Sequence, residues 1–294
     1  MAYRRKLIEV ALPLEAINKE SAREKSFRRV ATSAFHTFSN TLSGLAQGLH
    51  VRHIATFEVV TCAPGDEVAD VFARYPEFDQ IPVKDSGHVI GVLERDENGQ
   101  QGKASAYLRP LNDGILVAAE QPLDKFLSLM VEHPFYRLVL DGVHVSGIVT
   151  RSDLLKLPVR LLAFTLATSM ETLMKDVISH KFPCDGDWFG YLSEGRQEKI
   201  RARQAEFEEL RMDPPLLDLT DYCDKYTILL KHFGLGKQFK SDLVKIEGLR
   251  NAVAHGRSYA DDETGLKDFI YTLERAKYWI NYLNEKFLNE ASNL

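Results

Sequence analysis

Between residues 59 and 153 the apolar positions change their spacing in a fixed order, and that order occurs twice. The first copy is VVTCAPGDEVADVFARYPEFDQIPVKDSGHVIGVLERDE, Val59 to Glu97. The second is VAAEQPLDKFLSLMVEHPFYRLVLDGVHVSGIVTRSD, Val117 to Asp153. Each opens on a β-branched strand end. Next comes a helical stripe at i, i+3, i+4 and i+7: Val68, Val71, Phe72 and Tyr75 in one, Leu123, Phe126, Leu127 and Met130 in the other. Two short apolar runs follow, Ile81–Val83 with Val89–Leu93 and Leu138–Leu140 with Val145–Val149, separated by Ser86-Gly87 and Asp141-Gly142. The pattern predicts two β-α-β-β units. A unit this small does not bury a sheet alone, so the two are expected to pack together.

After Leu157 the spacing is helical throughout. Leu162, Leu166, Met170, Leu173 and Val177 mark a long helix, and residues 194–212 a charged one turned to solvent. Further helices are expected over Asp218–Phe233 and Lys237–His255. A last one is capped by Asp262, with Leu266, Phe269, Leu273, Ile280, Leu283 and Phe287 as its stripe. The expected class is α+β: a lead-in over residues 1–50, the repeat over 51–156, and an all-α bundle of about five helices over 157–294.

Composition narrows the function less than it narrows the fold. A formal charge of −5 over 294 residues shows no global basic field, so RNA would have to bind a local patch. The three cysteines, Cys62, Cys184 and Cys223, form no CxxC pair, and the histidines show no metal-ligand spacing. No metal site is expected, and the cysteine usage fits a reducing cytoplasm. Charges at Glu9, Glu15 and Lys19 interrupt any signal-peptide core. The uncharged runs Val30–Val51 and Leu161–Met170 are respectively too polar and too short to span a membrane. The aromatic cluster WFGY, Trp188 to Tyr191, is read as packing.

The repeat resembles a CBS domain pair, or Bateman module. VRHIATFEVVT, AYLRPLNDGILVAA and above all GIVTRSDLL, Gly147 to Leu155, carry the likeness. The resemblance implies an adenine nucleotide (AMP, ADP or ATP) bound between the units, its ribose on Asp153 and its phosphate near Thr150, with Arg151 and Arg137 as phosphate partners. A carboxylate accepts two adjacent hydroxyls, and a hydroxyl beside a helix start suits an anion. The first copy departs from the motif. It closes on GVLERDE, with Glu94 at the Thr position and Glu97 at the Asp position, so at most one good site is expected. A ligand-free dimerisation module is the alternative reading of the pair.

LRNAVAHG, Leu249 to Gly256, resembles the signature of the HEPN family of small helical domains, many of them metal-independent endoribonucleases. The bare Arg-to-His spacing means little, since it also occurs at Arg29–His36 and Arg137–His144. Only the third copy has Asn directly after Arg and Gly directly after His. The resemblance implies a site of Arg250, Asn251 and His255 at a dimer interface. Such a site suits RNA cleavage without a catalytic cofactor: the His moves the proton of the 2′-hydroxyl, and the Arg holds the charge developing on phosphorus. On an ideal helix Arg250 and His255 lie about 140° apart, which favours a site completed by a second chain. Residues 4–26, RRKLIEVALPLEAINKESAREKS, resemble the opening of a family of adenine-specific DNA methyltransferases, and from this comes the expectation of a setting near antiviral defence. No methyltransferase motif follows. The reading is a nucleotide-regulated endoribonuclease acting as a homodimer, with a non-catalytic nucleotide-binding scaffold as its alternative.

Overall fold

The computed structural model describes residue 44 and residues 48–288, apart from residues 97–98, 133–135 and 183. The 4–26 segment, nearly all of the lead-in, and Glu97 lie outside the described residues.

The repeat folds as two three-stranded sheets with the same internal plan. In the first copy, helix α1 (Val68–Arg74) precedes β1 (Gln80–Asp85) and β2 (His88–Glu94); a short helix α2 (Ala104–Tyr107) then leads to β3 (Arg109–Pro110). In the second, β4 (Leu116–Ala118) and helix α3 (Leu123–Leu129) precede β5 (Tyr136–Asp141) and β6 (His144–Thr150). The stripes read from the sequence are the buried faces: Val68, Val71 and Phe72 in α1, and Leu123, Phe126 and Leu127 in α3, continued by Met130. Both hairpins have two-residue loops, and Ser86, Gly87 and Gly142 take the left-handed φ that such turns favour. Both carry a bulge at the same place, between Val83 and Lys84 and between Val139 and Leu140.

The copies exchange their lead segments. Thr56, ahead of the first copy, pairs with Ile148 in the second copy's sheet, with both backbone bonds at 2.9 Å. Arg109 and Pro110, ahead of the second copy, form β3 against Val92 and Gly91 in the first copy's sheet. Each lead strand lies over a glycine. A Cβ at Gly91 would meet the Arg109 carbonyl at 2.3 Å, and one at Gly147 would meet the Thr56 carbonyl at 2.9 Å. An apolar core of Val92, Ile115, Tyr136, Leu138 and Ile148 draws on both copies.

The helical region contains α4 (Leu157–Lys181), α5 (Asp185–Phe189), α6 (Glu194–Glu209), α7 (Tyr222–Phe233), α8 (Lys237–Ala254) and α9 (Glu263–Leu283). The described residues divide into two compact units. One holds the repeat with residues 244–277, and the other holds residues 169–243 with the end of α9. In the latter, α6 is less solvent-facing than its charge suggests. Ile200 is buried, and Arg196 reaches both Asp224 (Nε–Oδ1 2.8 Å) and Asp221 (Nη2–Oδ2 2.6 Å), while Arg203 joins Asp221 at 2.8 Å. Burial alone would raise the Asp221 carboxyl, but these two guanidinium groups hold it well below the usual range. Trp188 of the WFGY cluster is buried. The Trp279 indole donates to the buried Asp242 at 2.8 Å. Asp262 caps α9 as expected, accepting from the Gly265 amide at 2.7 Å. Among the described residues no helix is long and apolar enough to cross a membrane.

Candidate ligand cleft and the α8 terminus

A cleft of about 630 Å³ opens where the first lead segment, β1 and the end of β6 come together. Its apolar wall is Val59, Val60, Ile148 and Leu155, and its floor is the turn Thr150–Asp153. That turn is a 3-10 helix over Arg151–Leu155, started by a reciprocal capping box. Asp153 Oδ2 accepts from the Thr150 amide at 2.6 Å and from its hydroxyl at 3.0 Å. Asp153 Oδ1 accepts an ion pair from Lys156 at 2.6 Å. Asp153 is 6% exposed. A carboxylate offers about four lone-pair directions, so with three in use one acceptor direction remains for a ligand hydroxyl.

The structure therefore brings Thr150, Arg151 and Asp153 together at one cleft. Arg137 is elsewhere. It is buried and lines neither this cleft nor the second cavity of the repeat; its guanidinium donates to the carbonyls of Tyr136 (2.7 Å), Leu129 (2.6 Å) and Glu132 (3.5 Å). Residue Arg137 thus braces the loop after α3, and burial, the leading cause, lowers its pKa.

Four other carboxylates line the cleft: Glu58, Glu77, Asp79 and Asp261. Arg151 is the single arginine or lysine among the lining residues. Sequence reading missed these acids because they come from three separate segments, one of them more than a hundred residues beyond Asp153. Ala260 and Asp261 belong to the loop between α8 and α9. That loop is anchored beside the cleft. The Tyr259 hydroxyl donates to the Leu154 carbonyl at 2.9 Å, and Arg160 lies over the Tyr259 ring at 5.7 Å. Burial pushes the Tyr259 phenol up to about 12.

At the equivalent position in the first copy, Glu94 is engaged by side chains from beyond its own copy. Glu94, the counterpart of Thr150, accepts from Arg109 at 2.9 Å and from the buried Tyr136 hydroxyl at 2.5 Å. Burial and then Glu94 push the Tyr136 phenol well above its ordinary range. Glu94 is thus held in an internal lock.

On α8, Phe239, Leu243 and Ile246 are buried, and Arg250 is half-buried. Asn251 and His255 are exposed. Arg250 Nε reaches Asn251 Oδ1 at 3.3 Å, so this amide faces its neighbouring arginine. Gly256 ends the helix with φ +67, the Arg257 amide returning to the Ala252 carbonyl at 2.8 Å and the Gly256 amide to Val253 at 3.2 Å. This is a Schellman termination. His255 sits at the C-cap, five residues before the cleft-lining Ala260.

With the exchanged strands and the capped turn in view, the comparison with known proteins is decisive for one segment. The family model for the CBS domain matches residues 111–160. The chain contains a CBS domain. Similar solved structures include a conserved CBS domain protein, TA0289, from Thermoplasma acidophilum (18% identity, TM-score 0.32, covering 40% of this chain and 75% of that one). Two more are from Methanocaldococcus jannaschii: MJ1225 (19%, 0.31, 40% and 51%) and MJ1004 (15%, 0.35, 77% and 100%). No curated protein matches the chain in sequence.

Proposed function

We propose that this protein is a regulatory one, whose CBS module binds a single adenine nucleotide in the cleft above Thr150–Asp153. The observation that carries the reading is a cleft of about 630 Å³ with an apolar wall and a buried, capped carboxylate that retains one acceptor direction. Adenine and ribose fit the apolar wall and Asp153, and Arg151 faces the phosphate. Five lining carboxylates against one guanidinium favour a ligand of low negative charge. AMP is expected to bind more tightly than ATP in the absence of divalent cations. Calorimetric titration tests this: Asp153→Asn should weaken AMP about tenfold, the scale of one hydrogen bond to a charged group. Equal AMP binding by wild type and Asp153→Asn would remove the assignment.

The activity under this control is RNA cleavage at Arg250, Asn251 and His255, near the α8 terminus. Its support is the loop 257–262, which runs directly from His255 to the cleft wall at Ala260 and Asp261. Two copies of the chain pair Arg250 of one with His255 of the other. Cleavage of single-stranded RNA in EDTA, lost in both His255→Ala and Arg250→Ala, is the expected result. No cleavage by wild type with or without AMP would leave a nucleotide-binding scaffold.

A further inference from the structure

A second cavity of the repeat, about 330 Å³, differs from the cleft in charge and in position. It is lined by matched residues of the two hairpins, and so lies on the axis that relates the copies. His88 and His144, the first residues of β2 and β6, stack across this axis with ring centroids 5.7 Å apart and planes at 17°. Lys84, at the bulge of β1, adds a cationic group on one side only, because Leu140 holds the matching place in the second copy.

No carboxylate is among the lining residues. The nearest acids in register, Asp85 opposite His88 and Asp141 opposite His144, are engaged with Ser86 (3.4 Å) and Arg52 (3.3 Å). Ser146 also lines the cavity. Its Oγ is buried and has no hydrogen-bond partner. A buried hydroxyl left unpaired costs about 1–3 kcal/mol, which a ligand acceptor at that point would recover. The remaining walls, among them Phe57, Val59, Leu111 and Val145, are apolar.

We propose that this axial cavity binds a small organic anion, a phosphate monoester or carboxylate carried on a flat apolar body. The anionic head meets Lys84, the two imidazole edges and the Ser146 hydroxyl, and the body lies against the apolar walls. The site shares Val59 with the nucleotide cleft but uses neither Thr150 nor Asp153.

The test is titration of the full-length protein with phenyl phosphate, benzoate and inorganic phosphate, followed by the imidazole resonances in nitrogen-edited NMR. Single His88→Gln and His144→Gln variants assign the two signals. Saturable movement of both by phenyl phosphate or benzoate is expected, with inorganic phosphate weaker. Lys84→Gln combined with His144→Gln should weaken binding about a hundredfold, near tenfold for each charge-assisted bond removed. Asp153→Asn should leave it unchanged. Thermal melting checks that the variants, at exposed positions except for Asp153, stay folded. Unmoved histidine signals, equal binding by the Lys84/His144 variant, or inorganic phosphate binding as tightly as phenyl phosphate would each overturn the proposal.

Discussion

At the scale of single residues, the clearest conflict between charge and burial is Asp176 on α4. Its Oδ2 is buried with no hydrogen-bond partner. Burial raises its carboxyl from the ordinary aspartate range to about 6, and the neighbouring Lys175 offsets only part of that. A carboxyl whose folded pKa is raised takes up its proton more readily when folded. Its cost is therefore full above pH 6 and fades as pH falls from about 6 to about 4. Two pKa units correspond to about 3 kcal/mol as an upper bound. Asp176→Asn should raise the melting temperature at pH 7.5 and leave it nearly unchanged at pH 4. A difference that stays constant from pH 4 to 8 would show that Asp176 titrates normally.

At the scale of elements, the exchanged lead strands depend on two glycines with unequal tolerance. At Gly147 an added methyl meets the Thr56 backbone carbonyl at 2.9 Å and the Phe57 ring at 3.1 Å, so the lead segment itself has to shift. At Gly91 it meets the Arg109 carbonyl at 2.3 Å and the Leu108 side chain at 2.4 Å, which displaces β3 further. Replacing glycine by alanine also stabilises by about 0.4–1 kcal/mol through the unfolded chain. That gain offsets only part of the backbone clash at Gly147, and overpacking at Gly91 is expected to cost up to about 3 kcal/mol. Urea denaturation should show both variants destabilised, Gly91→Ala by more than Gly147→Ala. The elements themselves were legible in the sequence, because hydrophobic period and turn glycines are local signals. Strands β1, β2, β5 and β6 each enclose the run expected for them, and the cap at Asp262 was read correctly. The exchange of lead segments was not legible, since nothing in VRHIATFE says that it pairs 92 residues away with Ile148. The same holds for the site. The Thr150–Asp153 turn is a local motif and so was legible, whereas only the fold shows that the Arg137 guanidinium serves three carbonyls. The Glu94–Arg109–Tyr136 lock depends on residues from both copies, so sequence reading could give only the loss of the motif.

At the scale of the molecule, the question is how an occupied cleft would be felt at the α8 terminus. Asp153 stands just before the start of α4, which gives one route along the chain. The structure supplies a more direct one, in which the loop 257–262 forms part of the cleft wall and is held by the Tyr259 bond to Leu154 and by Arg160 over the same ring. Coupling requires that the ligand interact differently with two arrangements of this loop. Ala260 and Asp261 are the residues where that difference would arise, and Asp261, being acidic and exposed, meets a ligand phosphate with repulsion unless the loop moves. Hydrogen exchange measured peptide by peptide separates the cases. AMP is expected to change exchange in residues 253–262 as well as in 148–156. Tyr259→Phe removes one anchoring hydrogen bond but keeps the ring against Phe269, at 4.5 Å between centroids. It should loosen the loop in the free protein and shrink the AMP effect at 253–262, while the effect at 148–156 persists. If AMP alters exchange at 148–156 alone in the wild-type protein, the cleft and the α8 terminus act independently, and the sensing and effector roles belong to separate parts of the chain.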